Sequence, residues 1–161
     1  MGLFGVIGEQ QSLSIADGFE PKKQTYDHLR IAQMLYHYRE MIGMGQPFRS
    51  TIDMIAYLRG PKHKNPPISK ATHNFISSYW YYGKHKYHPA EKSPKVCKKL
   101  INWCSKEGDI ILDPFFGSGV VGVVAEKTNR KWIAIEKEEE YCEIAKNRII
   151  EECAIDIKKI F

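Results

Sequence analysis

The segment 109–136 constrains the fold more than any other part of the chain. A short apolar run at 109–113 is followed by the glycine-rich sequence 117–122, a small-residue segment compatible with a helix, and a second apolar run at 131–136. Strand, glycine turn, helix and strand in this order form a βαβ unit, whose parallel strands are joined by a right-handed crossover. We therefore predict an α/β fold built on a parallel sheet.

Helical patterns flank this unit on both sides. Ser93 places a capping hydroxyl ahead of Pro94, which suits the first helical position. The apolar residues that follow recur on one helical stripe: Val96, Cys97, Leu100, Ile101 and Cys104. The pattern predicts a helix of about three turns that ends near Gly108. Residues 138–153 predict another helix, which completes an alternation of helices and strands typical of a parallel sheet.

The N-terminal half has weaker patterns. Apolar residues between 25 and 42 fall near helical spacing and predict a helix, which Gly43 and Gly45 would end. Residues 52–58 are β-prone and are followed by Gly60-Pro61, which favours a strand ending in a turn. The proline-rich stretch 61–92 is expected to be an irregular surface connection.

The basic charge is concentrated in one window. Residues 59–99 contain ten Lys or Arg residues and a single acid, Glu91, although the net charge of the whole chain is only +5. The same window holds four of the six histidines and six aromatic residues. Basic residues interleaved with aromatics suit a polyanion whose bases can stack, as in nucleic acids. A solvated lysine-rich loop beside a half-buried aromatic cluster explains the composition equally well.

Composition excludes several classes of protein. The apolar runs are shorter than the roughly 18 residues that span a bilayer, and the N-terminus lacks a basic leader, so we expect a cytoplasmic protein with no membrane partner. The four cysteines form no CxxC pair and are expected to be reduced. His85 and His88 have no neighbouring Cys or Asp ligand, and no metal site is predicted.

The glycine segment carries the candidate chemistry. Gly117, Gly119 and Gly122 satisfy the pattern GxGxxG, and Glu136 follows at about the spacing of an acid that holds ribose hydroxyls. Glycines let a ligand approach the backbone, and the next helix directs free amides toward it. The pattern favours a nucleoside derivative, while a glycine turn that only packs a helix on a strand stays an alternative. A dinucleotide fingerprint starts at the strand end, whereas residues 113–116 intervene here, which argues against NAD.

The sequence Asp-Pro-Phe-Phe-Gly-Ser-Gly at 113–119 resembles the S-adenosylmethionine loop of DNA amino-methyltransferases that modify adenine N6 or cytosine N4. Residues 88–93, HPAEKS, resemble the HPxxKP element that precedes this loop in the circularly permuted β group. Residues 130–136 and 141–145 are similar to the family's next strand and helix. The resemblance implies a Rossmann-like methyltransferase fold that is incomplete in this chain. It divides the chain into an N-terminal part, 1–87, with a target-recognition segment, and a cofactor-binding part, 88–161.

The same resemblance implies site residues. Asp113 would face the methionine amino group, Phe115 would line the pocket, and Glu136 would take the ribose hydroxyls of S-adenosylmethionine. Lys92 and Ser93 would close the methionine end. The full set of implied cofactor residues is Lys92, Ser93, Asp113, Pro114, Phe115, Gly117, Ser118, Gly119 and Glu136. Ser93 and Val120 depart from the family's usual proline and threonine.

A catalytic element is not identified. The family orients the target amine with a (D/N/S)PP(Y/F/W) tetrapeptide. Asn65-Pro66-Pro67-Ile68 matches three positions, but Ile68 cannot stack on a base and the element lies too near His88. Catalytic residues are therefore left unassigned, and the chain resembles the C-terminal part of such an enzyme.

Three functions follow as expectations. The first is a site-specific DNA methyltransferase, C-terminal part, acting on adenine N6 or cytosine N4. The second is a noncatalytic half that binds S-adenosylmethionine and DNA and needs a partner chain, either a second polypeptide with the catalytic element or a copy of itself. The third is an NAD-dependent oxidoreductase that rests on GxGxxG alone.

Overall fold

The computed structural model describes residues 4–6, 30–40, 47, 49–59, 71–78, 87 and 91–154. Its elements fall into two units, which are described separately. The N-terminal unit contains strands β1 (Phe4–Val6), β2 (Arg30–Tyr38), β3 (Ile52–Arg59) and β4 (Phe75–Ser77). The C-terminal unit contains α1 (Pro94–Cys104), β5 (Ile110–Asp113), α2 (Val120–Glu126), β6 (Lys131–Ala134) and α3 (Glu139–Cys153). The predicted division at residue 87 stays a prediction.

The N-terminal unit is a four-stranded sheet with the order β1-β3-β2-β4. Strands β1 and β2 pair antiparallel with β3, and β4 pairs parallel with β2. The strand predicted at 52–58 is confirmed as β3. The turn at Gly60-Pro61 lies outside the described residues.

The helix predicted over 25–42 is wrong where the chain is described, because residues 30–38 form β2. Burial alternates along the end of this strand and the residue after it: Leu35, His37 and Arg39 are buried, whereas Tyr36 and Tyr38 are exposed. The buried polar residues have partners, since His37 Nδ1 lies 3.1 Å from Asp53 Oδ2 and Arg39 donates to the Ser50 carbonyl at 2.8 Å. The sequence of β2 lacks the usual alternation of apolar and polar residues, because polar side chains lie on its buried face and tyrosines on its exposed face.

The stretch predicted to be irregular, 61–92, contains strand β4, which is a second correction. Tyr36 donates its backbone N–H to the Asn74 carbonyl at 2.9 Å, and Asn74 Nδ2 donates to the Met34 carbonyl at 3.1 Å. These bonds fix β4 beside β2 although the strand has only three residues. Residues 61–70, 79–86 and 88–90, including most of the basic aromatic window, lie outside the described residues.

The C-terminal unit confirms the predicted alternation of helices and strands. Strands β5 and β6 are parallel, with Ile110 opposite Lys131 and Asp113 opposite Ala134. Helix α1 begins at Pro94 as predicted but ends at Cys104, before Gly108. The hydroxyl of Ser93 forms no capping hydrogen bond, contrary to expectation. The Ser93 carbonyl instead accepts the Cys97 N–H at 3.0 Å, which begins the helical ladder.

The described helices pack on one face of the β5–β6 sheet. Ile111 contacts a cluster between α1 and α2, formed by Cys97, Ile101, Val120 and Val124. Trp132 and Ala134 contact a second cluster between α2 and α3, formed by Phe116, Val123, Ala145 and Ile149. Ile110 and Ile133, which strand alternation places on the opposite face, are 48% and 52% exposed. Among the described residues, this second face carries no helix layer.

Two general features follow from the described part of the chain. No helix found there has the length and apolar character needed to cross a membrane. The four cysteines are free thiols. Burial raises the pKa of Cys104 to about 12, which keeps this thiol protonated at neutral pH.

Candidate functional site

The glycine loop lies at the carboxyl ends of the parallel strands. Asp113 ends β5, and the chain turns through residues 114–119 before α2 begins. The Ile135 N–H donates to the Asp113 carbonyl at 2.9 Å, and the Phe116 N–H donates to the Ile135 carbonyl at 3.0 Å. These bonds fix the loop against the end of β6. Ligands of open α/β sheets bind at this edge.

Glu136 joins the end of β6 to the glycine loop. Its Oε2 accepts the Gly117 N–H at 2.7 Å, and its Oε1 accepts the N–H groups of Lys137 at 2.8 Å and Glu138 at 3.1 Å. Desolvation acts to raise the pKa of Glu136, but these hydrogen bonds outweigh it and lower the pKa below its ordinary value. The side chain is an ionised acceptor that can still receive a hydrogen bond from a ligand, since a carboxylate has about four acceptor sites.

Asp113 contributes a second carboxylate. Its Oδ1 accepts the Phe115 N–H at 3.0 Å, which shapes the start of the loop. Burial raises the pKa of Asp113, and the charge of Glu136 adds to this effect, while the bond from Phe115 opposes it. Two carboxylates that act on each other at one sheet edge favour ligand groups that donate hydrogen bonds or carry positive charge.

The adjacent phenylalanines have opposite environments. Phe116 is buried and stacks on Trp132 with ring centroids 5.2 Å apart, so it anchors the loop in the core. Phe115 is 88% exposed. An exposed aromatic ring on the residue whose backbone N–H binds Asp113 is available to a ligand with an apolar or aromatic surface.

The two loop glycines have different roles. Gly117 and Gly119 have φ values of +50° and +77°, a conformation that favours glycine. A Cβ at Gly119 would lie 2.9 Å from Ala145 Cβ, so the absence of a side chain lets α3 pack closely on the loop. A Cβ at Gly117 would meet no atom of the described residues within 4 Å. The open side of the loop is therefore at Gly117.

Arg148 is the main residue that the sequence analysis missed. It is 3% exposed, and its Nη1 donates to both the carbonyl and the hydroxyl oxygen of Ser118 at 3.2 Å. The same Nη1 lies 2.7 Å from Glu91 Oε1, and Nε donates to Glu152 at 2.9 Å. No local motif marks this position, because an arginine in an amphipathic helix normally predicts a solvated side chain.

The segment before α1 lies near the same group of charges. Burial, helped by the charge of Asp113 and opposed by the charges of Lys92 and Arg148, raises the pKa of the Cys97 thiol to about 12. The charges of Asp113, Lys92 and Arg148 therefore act on this residue of α1. Ser93 is buried there, and Lys92 is half-buried. Direct hydrogen bonds thus connect Asp113 to Phe115 and Glu136 to Gly117. Ser118 is connected to the segment that contains Lys92 indirectly, because Arg148 contacts both Ser118 and Glu91.

A family model described as DNA methylase, for N6 and N4 methyltransferases, matches residues 20–147. The chain belongs to this DNA methylase family. The match extends over both halves of the chain, including segments outside the described residues. Family membership also disfavours the NAD-dependent oxidoreductase considered from GxGxxG alone.

Two curated relatives of this DNA methylase are similar over a shorter stretch. The type II methyltransferase M2.LlaDCHI of Lactococcus lactis subsp. cremoris is 48% identical over 62 residues, which is 38% of this chain and 23% of the relative. The type II methyltransferase M2.DpnII of Streptococcus pneumoniae is 47% identical over 62 residues, with the same shares. The matched stretch is therefore about a quarter of the length of these relatives.

Solved structures establish the fold of the DNA methylase chain as Rossmann-like. The M1.HpyAVI complex with SAM matches with a TM-score of 0.63 and 26% identity, covering 76% of this chain and 64% of that one. The cytosine-N4-specific PvuII DNA methyltransferase matches with a TM-score of 0.66 and 18% identity, covering 82% of this chain and 55% of that one. The expected α/β methyltransferase fold is confirmed. The match leaves 36% of the M1.HpyAVI chain and 45% of the PvuII methyltransferase chain without a counterpart in this chain.

Proposed function

We propose that this chain forms the S-adenosylmethionine-binding part of a DNA methyltransferase that methylates the exocyclic amine of adenine (N6) or cytosine (N4). The observation that carries the proposal is the glycine loop 114–119, which hydrogen bonds to Asp113 and Glu136 hold at the carboxyl ends of two parallel strands. Similar chains support it, because one solved neighbour is a SAM complex and the curated relatives are type II methyltransferases.

The residues present fit this cofactor. Glu136 is ionised and retains acceptor capacity for a ribose hydroxyl, and Asp113 offers a carboxylate to an ammonium group. Gly117 leaves the backbone open to a ligand, and the exposed ring of Phe115 can cover one. We assign cofactor contacts to the set Lys92, Ser93, Asp113, Pro114, Phe115, Gly117, Ser118, Gly119 and Glu136. When bound, S-adenosylmethionine would supply the methyl group as an electrophile.

Calorimetric titration of the chain with S-adenosylmethionine, with NAD as the control ligand, tests the cofactor assignment. We expect saturable binding of S-adenosylmethionine and none of NAD, because the loop begins with the Asp-Pro-Phe-Phe insertion rather than directly with glycine. Asn65→Ala is a suitable control variant and should leave the affinity unchanged. Failure to bind S-adenosylmethionine would contradict the proposed function.

DNA is the proposed macromolecular partner. The DNA methylase family acts on DNA, and the basic aromatic window 59–99 supplies the charge that phosphates require. Reversing the charge of Lys84 and Lys86 should lower DNA affinity and reduce the salt dependence of binding. An unchanged salt slope would favour a solvated loop instead. With DNA as substrate, we infer a cytoplasmic location.

A second candidate is a noncatalytic half that needs a partner chain. It is favoured by the half-exposed Ile110 and Ile133, because parallel sheets are normally covered on both faces. The partner would supply the PP-aromatic element and a layer over this face, or a second copy of the chain would cover it. A radiolabelled methyl-transfer assay on DNA tests this candidate. Activity of the purified chain alone would contradict it, whereas activity only with the remaining part of M2.DpnII would support it.

A further inference from the structure

Arg148 connects the two segments that flank the candidate cofactor site. One of its hydrogen-bond partners, Ser118, lies in the loop between Gly117 and Gly119. Another partner, Glu91, immediately precedes Lys92 and Ser93. The side chain of Glu91 is 12% exposed and that of Arg148 is 3% exposed. The contact is therefore a buried bridge between the glycine loop and the start of α1.

The bridge uses the geometry of a guanidinium. Arg148 Nη1 donates to both oxygens of Ser118 and lies 2.7 Å from Glu91 Oε1, while Nε donates to Glu152, four residues further along α3. The Tyr87 ring lies 4.5 Å from the guanidinium carbon. A planar group with several donors can hold these partners at once, whereas a lysine ammonium concentrates its donors at one point.

We propose that Arg148 is a positioning residue for the methionine end of the cofactor site. It fixes the Ser118 loop relative to the Glu91–Ser93 segment, and so sets the opening into which the amino acid part of S-adenosylmethionine would fit. The inference rests on the proposed function. Glu136, which would hold the ribose, is bound by Gly117, Lys137 and Glu138 and has no bond to Arg148 among the described contacts. The two ends of the site are therefore held by separate groups.

This separation gives an effect that a general loss of stability would not produce. Arg148→Lys should lower the affinity for S-adenosylmethionine by about tenfold, the usual effect of losing a charged hydrogen bond. The affinity for 5′-methylthioadenosine, which has the same nucleoside but no amino acid part, should change less than about twofold. Both affinities are measured by calorimetry on the full chain, together with the melting temperature.

Two further variants complete the experiment. Glu91→Gln removes the charge of one partner and retains its shape, so it should also weaken S-adenosylmethionine selectively. Lys127→Met is the matched control, because Lys127 pairs with Glu152 at 2.8 Å at the edge of the same network and has no hydrogen bond or ion pair to either flanking segment among the described contacts. It should leave both affinities unchanged.

Every outcome is decisive. If Arg148→Lys does not fold, Glu91→Gln decides the question. If the folded variant loses equal affinity for S-adenosylmethionine and for 5′-methylthioadenosine, the positioning role is wrong and the proposed function is unaffected. Unchanged affinity for S-adenosylmethionine would also overturn it. Failure of the unmodified chain to bind S-adenosylmethionine would refute both the proposed function and this inference.

Discussion

The backbone N–H of Gly117 donates to Oε2 of Glu136 at 2.7 Å, and this bond closes the glycine loop onto the end of β6. The carboxylate expected to hold a ligand is thus also a structural acceptor within the loop. Its two roles are compatible because the three N–H groups use three of the about four acceptor sites of the carboxylate, which leaves a site on Oε2 for a ligand. Loop closure and ligand recognition are therefore coupled through one side chain.

Glu136→Ala should weaken S-adenosylmethionine binding by about 1.5–3 kcal/mol, the usual range for a hydrogen bond to a charged group. The variant loses the ribose acceptor and leaves the Gly117 N–H without its partner. Calorimetry measures the affinity, with Glu138→Ala as the control, because Glu138 is exposed and its side chain pairs with the exposed Lys137. Equal affinity in Glu136→Ala and the unmodified chain would contradict the ribose assignment.

Asp113→Asn should stabilise the fold at neutral pH while weakening cofactor binding. The pKa of Asp113 is raised above its ordinary value of 3.8, chiefly by burial, so the unfolded chain ionises first as the pH rises. Ionisation then favours the unfolded state, and stability is lost as the pH rises through the folded pKa. Asparagine can accept the Phe115 N–H but carries no charge.

The measurement for Asp113→Asn is the melting temperature as a function of pH. The gain over the unmodified chain should be smallest below the ordinary pKa of aspartate and should grow toward neutral pH. A gain that shrinks with rising pH would show that the buried carboxylate is stabilised by its surroundings.

The C-terminal unit was predictable because its signals are local. Apolar runs, Pro94 at a helix start and the glycines between two strands each act within a few residues, and the element order followed from them. The N-terminal sheet was less predictable. His37 in β2 and Arg39 just after it are buried and are stabilised by Asp53 and Ser50, more than ten residues away, and no pattern within the strand reveals such partners.

In the candidate site too, features set by nearby residues are predictable, whereas features set by distant residues are not. Gly117 and Glu136 are predictable because their spacing is set by one βαβ unit, whereas the role of Asp113 is implied only by the resemblance to DNA amino-methyltransferases. The different environments of Phe115 and Phe116 could not be predicted, since only the position of Trp132 in the folded core decides which ring is buried. Arg148 was missed because its partners Glu91 and Ser118 lie 57 and 30 residues away.

Phe115→Ala and Phe116→Ala should separate binding from stability. Phe115 is 88% exposed, so its removal should leave the melting temperature nearly unchanged and reduce the affinity for S-adenosylmethionine. Phe116 is buried against Trp132, and its removal should destabilise the fold by about 3–5 kcal/mol. Urea unfolding and calorimetry on both variants provide the test. Unaltered affinity in Phe115→Ala would remove this ring from the cofactor site.

Gly119→Ala should destabilise the fold more than Gly117→Ala. Both substitutions place alanine at positive φ, at about 1–2 kcal/mol each. At Gly119 the new Cβ would also lie 2.9 Å from Ala145 Cβ, which adds about 1–3 kcal/mol of overpacking. Combining Gly119→Ala with Ala145→Gly should recover part of this second loss, and urea unfolding of the four proteins in the cycle measures the coupling. If the changes in the free energy of unfolding are strictly additive, α3 moves to accommodate the methyl group, and the close packing of Ala145 on Gly119 does not hold the loop.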